Sequence, residues 1–258
     1  MKLIKLLLKK IVRNKFSILI RNLIGFKPPI FLLNLNKKNI STSDAFFWRT
    51  DQNYHTIFKF SDILNLFFKD NSSEVEMLFY DKNNNLIKSK KFSNIELSNK
   101  LIIDKTFLDG IEDHGIFYVF HKSKANINSI IRNSCYTGYS YKESLPSFVH
   151  GNLITSIRNF DGQNIEFGIV GASSLKKKLY KVQNFYDFDK TEVAIMNPTK
   201  NRLEIEINSN KFILESCCSK IINIDINNNK LIEIVSNCYL LRPIIFNYKK
   251  QFIDVYHG

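Results

Sequence analysis

The chain has 258 residues, of which 44% are hydrophobic, and it includes 22 Phe and 11 Tyr. This length allows one large domain or two ordinary ones with separate cores, and the composition argues against a disordered protein. The formal net charge of +13 suggests nucleic acid, but +8 of it falls within residues 1–27, which contain no acid. The other 231 residues carry +5 and no nucleic-acid-binding motif, so we do not expect nucleic acid as a partner.

The four cysteines are Cys135, Cys217, Cys218 and Cys238, and none of them belongs to a CxxC pair. A zinc site of the usual spacing is therefore not expected, and the sequence predicts neither a metal nor another cofactor. The neighbours Cys217 and Cys218 cannot bridge to each other without strain. We therefore expect reduced thiols and a cytoplasmic location.

Residues 1–29 predict a basic amphipathic helix, because Ile4, Leu7 and Ile11 share one face and lysines occupy the opposite face. The uncharged runs are too short for a transmembrane span, which needs roughly 20 apolar residues. A helix of this kind lies in the headgroup region of an anionic membrane, so we expect residues 1–27 to attach the protein peripherally to the membrane surface. The alternative is a helix that packs on the body of the protein or on a partner.

Beyond residue 29, short runs of Ile, Val, Phe and Tyr alternate with turns rich in Asn, Asp and Lys, which is typical of all-β structure. We predict two β-sandwich domains, at 30–124 and 165–258, joined by a connecting segment at 125–164. The strand order is similar in both halves, and duplication and convergence both remain open. Residues 61–68 fit either a short helix or a buried strand. The predicted strands are 74–81, 86–92, 100–107, 116–122, 203–209, 211–217, 220–226, 231–237, 243–249 and 252–257.

The segment "CYTGYSYKESLPSFVHGN" (135–152) is the most unusual in the chain, because it combines three tyrosines, a phenylalanine and a histidine with two glycines. Aromatic faces with polar groups beside them suit a sugar or nucleoside, whose apolar CH faces stack while its hydroxyls form hydrogen bonds. The alternative is a long loop held to the core by its aromatic rings. The candidate ligand-binding residues here are Tyr139, Tyr141, Phe148, His150 and Asn152.

The C-terminal segment adds Arg242, Asp254 and His257 to the candidate ligand-binding residues. His150 and His257 each precede a glycine, and we expect them to meet in a cleft between the domains, less than about 12 Å apart. Arg242 would offer its planar guanidinium to a carboxylate or phosphate in the same cleft. Asp254 and His257 point to opposite faces of a strand, which argues against a simple pair.

Three functions are compatible with these residues. The first is binding of a polar ligand by a protein at the membrane surface. This ligand would be a glycan or a sugar conjugate that takes part in processes involving surface polysaccharides. The second is a hydrolase or lyase with His150 as acid or base, paired with Glu143 or Asp161. The third is a structural or assembly protein that uses the aromatic loop as an interface. An enzyme requires a carboxylate beside His150, whereas a binding protein requires exposed aromatic faces.

Overall fold

The computed structural model describes residues 39–257 except 124, 126, 128–129, 134, 151–152, 173–176, 184–186, 226–230 and 239. It also describes seven single positions among the first 20 residues, including the exposed Ile4, Leu7 and Ile11. The rest of the predicted N-terminal helix lies outside the described residues, so that helix stays a prediction. No helix in the described part of the chain is long and apolar enough to cross a membrane.

The described chain is almost entirely β-structure, which confirms the predicted all-β class. The strands of the first half are β1 Ile40–Asp44, β2 Phe46–Arg49, β3 Tyr54–Phe60, β4 Glu74–Asp81, β5 Leu86–Ser93, β6 Asn99–Ile103 and β7 His114–Lys122. The central strands are β8 Ile130–Arg132, β9 Cys135–Tyr141, β10 Ser147–His150, β11 Ile154–Asn159 and β12 Asn164–Phe167. The strands of the second half are β13 Lys178–Gln183, β14 Lys190–Met196, β15 Leu203–Ile207, β16 Asn210–Leu214, β17 Ser219–Ile224, β18 Leu231–Ser236, β19 Ile244–Lys249 and β20 Phe252–His257.

One short α-helix, α1 Ile63–Phe68, stands among the strands described between residues 39 and 257. The Asp62 carboxylate caps its N-terminus by accepting a hydrogen bond from the Asn65 N–H, and the helix ends at Lys69 in the left-handed conformation. The choice that the sequence left open for residues 61–68 is therefore decided in favour of a helix.

The described strands form five four-stranded sheets, numbered here 1 to 5. Sheet 1 is β2-β7-β4-β5, sheet 2 is β10-β9-β3-β6, sheet 3 is β12-β11-β1-β8, sheet 4 is β17-β14-β19-β20 and sheet 5 is β13-β18-β15-β16. The segment 125–164, expected to connect two domains, instead holds β8 to β11. Of these, β9 and β11 are inner strands of sheets 2 and 3.

The inner strands β7 of sheet 1 and β14 and β19 of sheet 4 are buried on both faces, so the cores of the two halves are continuous. Phe46 and Phe117 of sheet 1 pack into a core shared with sheet 2, whereas Phe47 and Tyr118 pack on the opposite face. Phe246 of sheet 4 joins that second core. Because successive residues point to opposite faces, these strands carry unbroken apolar runs. The halves therefore meet through a packed core, and the cleft expected between them is filled with side chains.

A buried ion network also joins the two halves. The Arg49 guanidinium, fully buried at the end of β2, donates to the Glu192 carboxylate at 2.8 Å and to the Tyr248 hydroxyl at 3.2 Å. It forms two further bonds of 2.9 Å with Asp51 and lies 3.8 Å from the centre of the Tyr54 ring. Burial alone would raise the pKa of Glu192, but Arg49 holds it below its ordinary value. The pair is therefore ionised and fixes sheet 1 against sheet 4.

Candidate functional site

The strands β9 and β10 make up most of the aromatic segment 135–152. Because strand residues alternate between the two faces, the side chains of the segment are divided between core and solvent. Tyr139 is fully buried and its hydroxyl donates to the Phe47 carbonyl at 3.0 Å. Tyr141 packs its ring 5.0 Å from that of Tyr54. These two tyrosines therefore belong to the core, and they do not face a ligand on the surface.

The alternate residues of β9 and β10 face solvent and form a group of exposed rings. Tyr136 is 47% exposed and Phe148 is 37% exposed, and His150 is exposed beside them. The ring centres of Tyr136 and His150 are 5.0 Å apart. Tyr136 was missed as a candidate by the sequence reasoning, although it follows the same alternation as Phe148 and His150 once the register is known.

Two cross-strand rows run side by side on this outer face of sheet 2. The first row is polar and basic, and its members from β6 to β10 are Lys100, Lys59, Tyr136 and His150. The second row is apolar, and its members in the same order are Ile102, Ile57, Gly138 and Phe148. With strands about 4.8 Å apart, each row spans about 14 Å, and the rows lie about 7 Å from each other. We call the exposed residues Lys59, Lys100, Tyr136, Phe148 and His150 the platform.

The Phe148 ring lies directly over the backbone of β9 because residue 138 is a glycine. A Cβ atom at Gly138 would come within 2.5 Å of the Phe148 ring, closer than such atoms approach. Because Gly138 has no side chain, the ring can lie across the sheet directly above it. Gly138 pairs with the buried Ile57 of the neighbouring strand β3. The Lys59 ammonium lies 4.8 Å from the ring centre, so a cation stands next to this aromatic surface.

His150 and His257 meet through a ring and a backbone carbonyl. The His257 Nε2 lies 2.8 Å from the His150 carbonyl oxygen, while the His150 ring faces the platform. Burial lowers the pKa of His257, which keeps its imidazole neutral and able to donate to the carbonyl. The space enclosed between the two residues and neighbouring core side chains has no room for a water molecule. This contact therefore joins two sheet edges and does not form a ligand pocket.

The other C-terminal candidates lie on or near the same edge. Arg242 is close enough to His257 to lower the pKa of its imidazole further. Burial raises the pKa of the Asp44 carboxyl group, and the charges of Arg132 and Arg242 oppose that rise only in part. Asp254 is exposed and pairs across the strands with Asn247. Asn152 lies outside the described residues. Of the eight residues proposed from the sequence, Phe148 and His150 belong to the platform.

No carboxylate among the described residues lies within ion-pair distance of the His150 ring, although the hydrolase or lyase hypothesis requires one. Glu143 is exposed in the turn after β9, with a positive φ of 62°. Asp161 is exposed in the turn after β11 and accepts a hydrogen bond from Asn39. Within the described chain there is also no group of three or more His, Cys, Asp or Glu side chains placed to hold a metal ion.

A second polar cluster, which the sequence reasoning missed, is buried beneath α1. The Ser73 hydroxyl lies 3.0 Å from the His121 Nε2 and 3.0 Å from the Asp62 carboxylate. These are the residue types of a nucleophile triad, but serine and carboxylate face the same ring nitrogen, and the other nitrogen faces Asn133. All of these side chains are buried, so the cluster cannot be reached by a substrate.

Comparisons with known proteins add little to this geometry. No protein-family model and no curated protein matches the chain. One solved structure, an alpha-L-rhamnosidase of Streptomyces avermitilis complexed with L-rhamnose, is similar at 8% sequence identity and a TM-score of 0.24. The match covers 91% of the present chain but 28% of the rhamnosidase chain. A TM-score of this size carries no argument about function.

Proposed function

We propose that the protein binds carbohydrate on the outer face of sheet 2. The observation that carries the proposal is the exposure of three neighbouring rings, those of Tyr136, Phe148 and His150, on a rigid sheet. Exposed rings on a flat face suit the apolar CH face of a sugar, and the Tyr136 hydroxyl and His150 nitrogens suit its hydroxyl groups. The sheet fixes the rings before binding, which limits the entropy lost when a ligand binds.

Binding without catalysis fits the platform better than the alternatives do. The acid–base mechanism considered for this chain needs a carboxylate at His150, and none of the described carboxylates lies within ion-pair distance of that ring. An assembly interface would favour a continuous apolar surface, yet half of this face is a polar and basic row.

The test is binding of the full-length protein to a panel of polysaccharides, measured by affinity electrophoresis. We expect Tyr136→Ala and Phe148→Ala each to weaken binding roughly tenfold, because each removes a stacking surface. The matched control is Phe252→Ala, which removes a ring that is 55% exposed at the opposite end of β20 from His257. Binding that falls equally in the control, or stays unchanged in both platform variants, would contradict the proposal.

We propose in addition that residues 1–27 hold the protein at the cytoplasmic surface of an anionic membrane. The support is their charge of +8 without an acid, together with the exposed side chains of Ile4, Leu7 and Ile11. Deletion of residues 1–27 should abolish sedimentation with vesicles that contain phosphatidylserine, and added salt should weaken sedimentation of the intact chain. Sedimentation that survives the deletion would refute this attachment.

A further inference from the structure

The two lysines of the platform form an uncompensated pair of like charges. Lys59 of β3 and Lys100 of β6 are directly opposite each other in the antiparallel register, and both are exposed on the same face. Like charges opposite each other on neighbouring strands destabilise a sheet. Among the described residues, no carboxylate lies within ion-pair distance of either ammonium group. The sheet therefore carries a charge cost that a bound anion would relieve.

This pair contrasts with the lysines on the outer face of sheet 5. There Lys177 lies 2.9 Å from Glu204, and Lys181 lies 2.8 Å from Glu233. Some other strand lysines in the described part of the chain, Lys90 of β5 and Lys220 of β17, also have no acid within ion-pair distance. Lys59 and Lys100 are distinguished by standing directly opposite each other without an acid beside either of them.

The position of the lysine pair relative to the rings points to one kind of ligand. The basic half of the polar row adjoins the Tyr136 and His150 rings, and the Lys59 ammonium stands beside the Phe148 ring. A chain of sugars lying across the four strands would place CH faces on the rings and its substituents above the two ammonium groups. Because a lysine ammonium binds anions through charge-assisted hydrogen bonds, those substituents should be negative.

We infer that the platform recognises an acidic glycan, one whose sugars carry carboxylate, sulfate or phosphate groups. The inference rests on the proposed function and narrows its ligand class. Single-stranded nucleic acid also combines anionic groups with stacking faces, but it needs a basic groove that follows its backbone, and the described platform offers two lysines at one end.

The test compares polygalacturonate, dextran sulfate, a phosphorylated dextran and neutral dextran as ligands of the full-length protein at constant ionic strength. We expect at least one acidic polymer to bind at least about tenfold more tightly than dextran. The double variant Lys59→Gln/Lys100→Gln should lose that advantage. The control Lys177→Gln/Lys181→Gln removes the same charge elsewhere, and it leaves any contribution of the basic residues 1–27 unchanged.

The outcomes separate the inference from the proposed function. One outcome is that neutral and acidic polymers bind equally, and that binding is lost in Tyr136→Ala but unaffected by Lys59→Gln/Lys100→Gln. This outcome would refute the preference for acidic glycans and would still support carbohydrate binding. Acidic polymers that bind equally to the platform double variant and to its control would also refute that preference, because the attraction would then be non-specific. Tighter binding of a single-stranded oligothymidylate, lost in the same platform variants, would overturn both ideas in favour of nucleic acid.

Discussion

The imidazole of His257 lies 2.8 Å from the backbone carbonyl of His150, although 107 positions separate the two residues in the chain. The contact joins β20, an edge strand of sheet 4, to β10, an edge strand of sheet 2. Ser147 strengthens the junction, because its hydroxyl accepts from the Val255 N–H at 3.0 Å and lies 3.2 Å from the Val255 carbonyl. Two side chains therefore connect sheet edges that form no β-ladder with each other.

In this geometry the His257 side chain stabilises the fold, whereas the His150 side chain belongs to the platform. Substitution of each residue should therefore separate the effect on stability from the effect on glycan binding. His257→Ala removes the bond to the carbonyl and should lower the free energy of unfolding by about 1 kcal/mol, with a small effect on glycan binding. His150→Ala removes a ring of the platform but keeps the carbonyl, so binding should weaken while stability stays within about 0.5 kcal/mol. Urea unfolding and affinity electrophoresis of both variants provide the measurement. Equal losses of binding in the two variants would instead support a shared site.

The sequence predicts the strands whose apolar residues alternate and the long apolar runs of β7 and β19, and it misses β14 and strands built from small polar residues. The boundaries of β4 and β20 agree with their predictions, because one face of each strand is more exposed than the other. In β14 the residues Val193 to Met196 are all buried, since cores lie on both sides, and no alternation is visible. Strand β9 has the composition of a loop, because it contains the small residues Thr137, Gly138 and Ser140, all of which are buried.

The candidate site is predictable only in part, for a related reason. The rings of Phe148 and His150 mark an unusual segment, and the sequence locates it. The face to which each ring points depends on the strand assignment, and a shift of one residue exchanges the two faces. Lys59 and Lys100 belong to the platform because β3 pairs with both β6 and β9. This pairing joins residues far apart in the chain, and the sequence alone does not reveal it.

Substitution of Gly138 should displace the Phe148 ring from the apolar row while every aromatic residue of the platform stays in the sequence. In Gly138→Ala the new methyl group occupies the space of the Phe148 ring, so the ring must leave its position over β9. We expect glycan binding to fall about as much as in Phe148→Ala, roughly tenfold. The control is Gly162→Ala, because a methyl group there meets its nearest atom at 3.4 Å. Unchanged binding in Gly138→Ala would show that the orientation of Phe148 is unimportant.

Loss of one partner of the buried Arg49–Glu192 pair should destabilise the whole chain. Glu192→Gln leaves the guanidinium with the Asp51 carboxylate as its remaining ion-pair partner and removes the buried negative charge on the sheet 4 side, and we expect a loss of about 3 kcal/mol in the free energy of unfolding. The exposed pair Lys105–Glu112, with both side chains 58% exposed, provides the control. Glu112→Gln should cost less than about 1 kcal/mol. Similar small losses in both variants would show that the Arg49 network does not hold the halves together.

Acid should destabilise the protein through the buried His121. Burial lowers the pKa of its imidazole to about 4, and the carboxylates of Asp62 and Asp70 oppose this only in part. The unfolded chain, with an ordinary histidine pKa of about 6.5, binds the proton first as pH falls. Stability is therefore complete above pH 6.5 and is lost progressively down to about pH 4, by on the order of 3 kcal/mol.

The variant His121→Gln isolates this contribution, because the glutamine amide replaces the hydrogen bonds of Nε2 without titrating. Burial also lowers the pKa values of His114 and His257, so the wild-type slope of stability between pH 6.5 and 4.5 contains their shares as well. We expect His121→Gln to reduce that slope and to leave the dependence between pH 7 and 8 unchanged. The measurement is the urea midpoint as a function of pH. An unchanged slope between pH 6.5 and 4.5 would mean that His121 takes up its proton in the folded state as readily as in the unfolded chain.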